Sequence, residues 1–404
     1  MALLPPPNYF AGSALDRVAW LRASSDTLNR ALASAHARFM LLDCGNPVMH
    51  GAERGARVAL FAWADVADAV WAGVRAVGGR GVFGADAYGL RKRADAPEKL
   101  WRRATDGLVA DIGLVFLGVA AGAEEAIDAS APPGKPLFAL SLATPHAARL
   151  REQILSGPFE APDLRGAMIS GALGAADAPL VAHARALLDW HARHVFCPAC
   201  AARQYPVWGG HKRACGSSLA ALADAPPAAF VTALAAAARV CRSSTSLQNY
   251  VYPRTDPVVI LAVVSADTEH ILLTRQRGWP AGLYSCIAGF VEPGESLEEA
   301  VAREAYEEAG IHVRRVTYHS SQPWPFPSSL MLGAYAAAAD TALRLDLDGE
   351  LEDAFFAPRA DVLELLAGGA VHRGGTRLIV PGPFAIAHAL LAGWAHRTAQ
   401  LPRL

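Results

Sequence analysis

One stretch, Gly289 to Ile311 (GFVEPGESLEEAVAREAYEEAGI), restricts what this chain can fold into more than any other. Its second half reads as a helix with defined ends. Ser296 can N-cap it, Glu299 completes a capping box three residues on, and Gly310 suits the left-handed residue beyond the last turn. On that helix Glu304 and Glu308 are four apart and Glu307 is three from Glu304, so three carboxylates crowd one side. Like charges at this spacing cost a helix roughly a few tenths of a kcal/mol per pair. A group of hard oxygen ligands offsets that cost by binding Mg²⁺ or Mn²⁺. The plain alternative is a solvated acidic face. Gly289, Glu295 and Arg303 stand at fixed offsets from the acidic run, with five and then seven residues between them, and chance explains that poorly.

The set Gly289, Glu295 and Arg303-Glu304-Ala305-Tyr306-Glu307-Glu308-Ala309-Gly310-Ile311 resembles the Nudix box of Nudix hydrolases, with every defining position filled. The resemblance implies an α/β/α sandwich that hydrolyses a nucleoside diphosphate linked to another moiety, using Mg²⁺ or Mn²⁺ held on this helix. Glu304 and Glu308 are the strongest ligand candidates, and Glu307 shares ligation or water activation. Glu295 and Arg303 complete the catalytic set as an orienting ion pair that holds the loop against the helix. By resemblance, the backbone carbonyl of Ala288 and the carboxylate of Glu350, in Glu350-Leu351-Glu352-Asp353-Ala354, are added to the metal site.

At 404 residues, 52% of them apolar, the chain is long enough for two or three domains with well-buried cores. A formal charge of -1 gives no bulk argument for nucleic acid or a membrane surface. No apolar run reaches bilayer-spanning length, and the opening MALLPPPNYFAG lacks a signal-peptide core. Residues 1–188 read as a mixed α/β domain, with strands expected at Phe39–Leu42, Val58–Phe61, Leu114–Leu117 and Leu137–Leu140. Cys44 follows an apolar run and reads as a buried small hydrophobe, and Cys286 as a packed core thiol. Residues 189–254 carry the other four of six cysteines. Cys197 and Cys200 form a CxxC pair suited to one edge of a zinc tetrahedron. Cys215 follows, and Cys241 comes only after twenty-five further residues, across an Ala-rich insertion at about 219–239. Cys241 is the expected fourth ligand, with His191, His194 and His211 as rivals and four free thiols as the alternative. A closed Cys₄ site is structural. Residues 255–397 form the catalytic domain, with strands at Val258–Val264 and Ile271–Arg275, and 398–404 a tail.

Beyond the box lies Gln322-Pro323-Trp324-Pro325-Phe326-Pro327-Ser328-Ser329, whose prolines exclude a helix or a central strand. The plain reading is a rigid surface loop; the functional one is a pair of aromatics that stack on a planar base or nicotinamide ring at low entropic cost. The string resembles the element that sets NADH pyrophosphatases apart from other Nudix enzymes. The opening Tyr9 to Arg17 resembles the start of the eukaryotic members. This resemblance implies contacts to the dinucleotide from Tyr252, Phe290, residues 322–329 and Ala387, hydrolysis of NADH or NAD⁺ to nicotinamide mononucleotide and AMP, and a homodimer. Removal of NAD caps from RNA, broader action on ADP-ribose or diadenosine polyphosphates, and a non-catalytic zinc-ribbon module are the alternatives. The end Pro402-Arg403-Leu404 resembles a variant of the Ser-Lys-Leu peroxisomal address, which sets peroxisome beside cytoplasm as the expected location.

Overall fold

A computed structural model of the chain describes residues 7–76, 82–83, 111–122, 126, 133–217, 241–244 and 251–402. The Ala-rich insertion expected at 219–239 lies outside them, as do Arg403 and Leu404. Contacts divide the chain into two units: Ser13–Arg254, and Met1–Gly12 together with Thr255–Leu404. The cysteine-bearing segment groups with the N-terminal α/β strands in the first of these units, and residues up to Gly12 group with the C-terminal domain in the second.

In the unit Ser13–Arg254 five of the described strands form a mixed sheet: β1 (Arg38–Asp43), β2 (Asn46–Pro47), β3 (Leu60–Phe61), β4 (Leu114–Ala120) and β5 (Lys135–Ser141). Their order is β2-β1-β5-β4, with β3 paired to β1. β1 and β5 run parallel and β4 and β5 antiparallel. Phe39, Phe138 and Phe116 from the adjacent strands β1, β5 and β4 are fully buried, with Phe39 and Phe138 stacked at 5.2 Å. Cys44 corrects the sequence expectation: it is exposed. The apolar run ends at Leu42, and after Asp43 the pair Cys44 and Gly45 makes the tight turn from β1 to β2, both at positive φ (49° and 83°) as such hairpins require.

After helices α1 (Ser25–Ala33), α2 (Trp63–Ala76), α3 (Ala148–Leu155) and α4 (Leu164–Ser170), helix α5 (Ala178–Arg193) leads to the hairpin of β6 (Gln204–Val207) and β7 (Lys212–Cys215). One fully buried guanidinium joins them. Arg213 meets Asp111 Oδ2 at 2.6 Å and His191 Nδ1 at 2.7 Å, and donates to the carbonyl of Gln204. His191 Nε2 lies 2.7 Å from the Gly210 carbonyl and must donate there, which leaves Nδ1 to accept from Arg213 and keeps the ring neutral. Burial pulls the pKa of His191 down to about 4 and that of His211 to about 3, and lowers that of His183 well below the usual value. The unfolded chain protonates these rings near pH 6.5, so it takes up protons first and stability falls as pH drops from about 6.5 toward 4. Amide-exchange protection of residues 178–193 is expected to weaken between pH 6.5 and 5; unchanged protection would refute this linkage.

The second unit is a sandwich whose sheet has the order β11-β12-β8-β9-β13, with β10 paired to β8. The strands are β8 (Asp256–Val264), β9 (His270–Gln276), β10 (Ile287–Phe290), β11 (Val313–Trp324), β12 (Ser329–Ala338) and β13 (Leu351–Pro358). β8 explains the layering. Val259, Leu261 and Val263 pack with Ala300, Val301, Ala305 and Ala309 of helix α6 (Leu297–Ala309). Ile260, Ala262 and Val264 face the other way, into a cluster with Val362 of α7 (Arg359–Leu366) and Leu390, Leu391 and Trp394 of α8 (Ile386–Ala395). Side chains alternate across a strand, so a strand covered on both faces is apolar throughout.

The proline-aromatic string is neither helix nor central strand. Gln322, Pro323 and Trp324 end β11, an edge strand paired only with β12 (Pro323↔Leu330, Trp324↔Ser329), and residues 325–328 make the turn. An edge tolerates the donor that proline lacks.

Candidate functional site

Both ends of α6 are as the sequence requires. Ser296 Oγ accepts from the Glu299 amide, the Glu299 carboxylate accepts from the Ser296 amide at 2.7 Å, and Gly310 takes φ 71°. The face presented to the sheet carries Ala300, Val301, Ala305 and Ala309, and the same face carries Glu304 and Glu308. Those two carboxylates are buried, at 8% and 3% exposure, while the Glu307 side chain is half-exposed. This is not a solvated acidic face.

Arg303 organises the loop before the helix. Its Nε and Nη2 grip the two oxygens of Glu295 at 2.6 and 2.9 Å, Nη2 also donates to the Phe290 carbonyl, and Nη1 reaches Glu304 at 2.8 Å and Glu307 at 3.0 Å. The fork from Arg303, joined by the Glu292 amide, holds the Glu295 carboxyl down at about 2. Only a planar guanidinium spans these acceptors at once. Gly289 has its own reason. A Cβ there would lie 2.0 Å from Glu304 Oε1, so the strand must be bare where the carboxylate passes. Gly289→Ala is expected to push Glu304 aside and weaken apparent Mn²⁺ affinity by about 10–100-fold. An unchanged Mn²⁺ activation midpoint would show that Glu304 does not need this gap.

Glu308 is the anomaly of the site. Among the described residues its carboxylate has no hydrogen-bond or ion-pair partner, and it lies on the wall of a cavity of about 270 Å³. Burial, then the charges of Glu304, Glu350 and Asp348, push its pKa up to about 8, and burial raises that of Glu304 too. A bound cation removes that cost, and acidic oxygen donors of this kind are what Mg²⁺ or Mn²⁺ takes, although among the described residues these carboxylates are not drawn together into a ready ligand group. Glu350, exposed just ahead of β13, reaches the pair through its charge. Asp348 does the same for Glu308 and was not singled out in the sequence. The acidic run 346–353 was the available signal.

The cavity combines residues that the sequence pointed to, namely Ala288, Glu308, Gln322, Trp324 and Ala387, with others that it did not. Thr274 and Gln276, two apart on β9, share one wall with Trp279, Ser285, Cys286 and Met331. Cys286 is the buried thiol expected, raised to about 12 by burial. Gln322 lines the cavity, yet its amide is fully used. Nε2 donates to the carbonyls of Tyr9 and Phe384, and Oε1 accepts from the Ile386 amide. Trp324 and Phe326 pack against each other at 5.2 Å. Pro325 is buried, Pro327 exposed, and Ser328 accepts from the Asp256 amide through its carbonyl. Phe290 is exposed at the end of β10, and among the described residues Pro323, Phe326, Ser328 and Ser329 do not line the cavity. Tyr252 belongs to the other unit, where it is exposed and Lys212 Nζ lies 5.4 Å from its ring centre.

That other unit holds the thiols. The Sγ atoms of Cys197, Cys200, Cys215 and Cys241 all lie within 4.8 Å of one another, the one such ligand group among the described residues. Sulfurs around a tetrahedral zinc sit about 3.8 Å apart, given Zn–S bonds of about 2.3 Å. The contacts Cys197–Cys241 at 3.7 Å and Cys200–Cys215 at 3.4 Å are close to that edge. The rival histidines are engaged elsewhere: His191 at Gly210 and Arg213, His194 at the Trp190 carbonyl, His211 at the Phe116 carbonyl.

Known proteins place these features. Residues 254–377 match the NUDIX domain, and residues 37–190 match the NADH pyrophosphatase-like rudimentary NUDIX domain. The NAD-capped RNA hydrolase of Schizosaccharomyces pombe is 44% identical over 225 residues, 55% of this chain and 56% of that protein. NAD-capped RNA hydrolase NUDT12 of Homo sapiens is 40% identical over 218 residues, 54% of this chain and 42% of that protein. NAD-capped RNA hydrolase NudC of Mycobacterium bovis is 35% identical over 239 residues, 59% of this chain and 66% of that protein. The chain thus spans about half the length of the first two.

Proposed function

We propose that this chain, which carries a Nudix domain behind an NADH pyrophosphatase-like one, hydrolyses the pyrophosphate of NADH or NAD⁺ to nicotinamide mononucleotide and AMP. One observation carries the reading: a buried carboxylate, Glu308, without a partner among the described residues, opens on a largely apolar slot walled by Trp324. Such a slot takes a planar ring beside a charged, metal-held phosphate. Glu304, Glu307, Glu308 and Glu350, with the Ala288 carbonyl, would hold Mg²⁺ or Mn²⁺. When bound, the metal neutralises pyrophosphate oxygens and acidifies water.

The protein's own residues supply the positioning. Arg303 and Glu295 fix the loop so that Glu304 stays against Gly289. Glu307, half-exposed and paired with Arg303, would share in metal ligation or accept a proton from the attacking water. Trp324 would stack on the ring, and Gln322 ties the wall together through its amide. In the other unit the four thiols would hold a structural Zn²⁺, since all four positions of the tetrahedron are protein ligands.

AMP release from NADH and NAD⁺ with purified protein and Mn²⁺ tests the reading; no release from either dinucleotide overturns it. Removal of NAD caps from RNA is the second reading, favoured by the names of the relatives. Turnover of capped RNA against free NADH in one reaction decides between them. The family resemblance further supports a homodimer, which light scattering checks. The terminal tripeptide supports a peroxisomal address beside a cytoplasmic one, checked by imaging a fluorescent fusion with and without Leu404. Among the described residues no helix is long and apolar enough to cross a membrane.

A further inference from the structure

We infer that Asn8, Tyr9 and Phe10 are positioning residues of the Nudix pocket: the N-terminal segment is the back support that holds the Trp324 wall in place. This rests on the reading of that pocket as the dinucleotide's. Phe10 is 1% exposed, and its ring stands edge-on to Trp324 at 6.2 Å and to Phe326 at 6.3 Å. Tyr9 packs on Phe10 at 4.7 Å, and its carbonyl takes one of the two donors of Gln322. Asn8 Nδ2 donates to Ser320 Oγ and to the Ser321 carbonyl, both at 2.9 Å, which pins the segment along β11 just before the cavity.

Two features show that this is a built contact rather than a tail lying on a surface. Phe10 sits at φ 68°, a conformation that a bulky residue keeps only where its surroundings over-determine it. Gln322 is 1% exposed and joins three remote pieces through one amide: Tyr9, Phe384 and the first residue of α8. Ile386 and Ala387, which that amide positions, are themselves cavity wall. Removing the ring of Phe10 would free Trp324 and Phe326 to rotate into the space it leaves. The metal-side carboxylates, on α6, keep their own support from Arg303 and Gly289.

The consequence is a split between binding and turnover. Phe10→Ala is expected to raise KM for NADH by about tenfold or more, with kcat within about threefold of wild type. Phe10→Leu should fall between, because it fills the space without a ring edge. Loss of general stability alone would lower the active fraction, and so kcat, with KM unmoved. A KM within twofold of wild type for Phe10→Ala, or a fall in kcat with KM unchanged, overturns the assignment. Should Phe10→Ala not fold, Phe10→Leu and Asn8→Ala carry the test, and unchanged KM in both overturns it. AMP binding measured by calorimetry gives the same ratio without turnover. If wild type binds AMP but cleaves neither dinucleotide, the functional reading fails, while weaker AMP binding in Phe10→Ala still supports the positioning role and equal binding removes it.

Discussion

A Glu308→Gln protein is expected to release AMP from NADH at least about a thousandfold more slowly than wild type, a loss of about 4 kcal/mol of transition-state stabilisation. It is also expected to be the more stable protein when no divalent ion is present. Both outcomes come from one cause. Glu308 is 3% exposed and without a partner among the described residues, it feels the charges of Glu304, Glu350 and Asp348, and its pKa is pushed up to about 8. A carboxyl whose folded pKa lies above its unfolded value adds stability as pH falls through the folded value and opposes folding above it. Metal-free wild type should therefore gain melting temperature between pH 8 and 6.5, and the Gln variant should lose that slope. With Mn²⁺ the order reverses, because only wild type gains binding energy from the ion. A Gln variant that retains its Mn²⁺-induced stabilisation, or that turns over within tenfold of wild type, removes Glu308 from the metal site.

The two halves of that site were unequally legible in the sequence. Helix caps are local, so Ser296, Glu299 and Gly310 could be assigned from spacing alone, and so could the shared side of Glu304 and Glu308. That this side faces inward, which makes the acids costly, depends on the alanines beside them packing against β8. Gln322 shows the limit from the other direction. Its motif position suggested a substrate contact, but its amide is claimed by residues 9, 384 and 386, and no spacing rule joins segments so far apart. Thr274 and Gln276 were likewise hidden: period-two alternation puts them on one side of β9, but only Ala288, Trp324, Met331 and Ala387, from strands and a helix remote in sequence, make that side a cavity. Cys44 failed for a local reason, since it is the first residue of the two-residue turn that follows Asp43, which carries its thiol out of the buried strand.

The thiol site gives the other large expected effect. Cys241→Ser should take zinc from about one ion per chain to a small fraction, and lower the melting temperature by roughly 10 °C or more. Serine replaces a soft thiolate with a neutral hydroxyl, and three sulfurs hold zinc far less tightly than four. The geometry favours Cys241 over every histidine nearby. Its Sγ is 3.7 Å from that of Cys197, whereas His191, His194 and His211 each hold a backbone carbonyl instead. His211→Asn therefore serves as the counterpart and should leave zinc content unchanged. Cys44→Ser, at an exposed turn, should do the same. The twenty-five residues between Cys215 and Cys241 are no obstacle, because closure entropy grows only with the logarithm of loop length. Bringing Cys241 back across them is work the metal would perform, since apparent binding energies of about 10–16 kcal/mol for structural zinc exceed that cost severalfold. Full zinc in Cys241→Ser together with its loss in His211→Asn would reverse the assignment and make the ribbon a three-cysteine, one-histidine site.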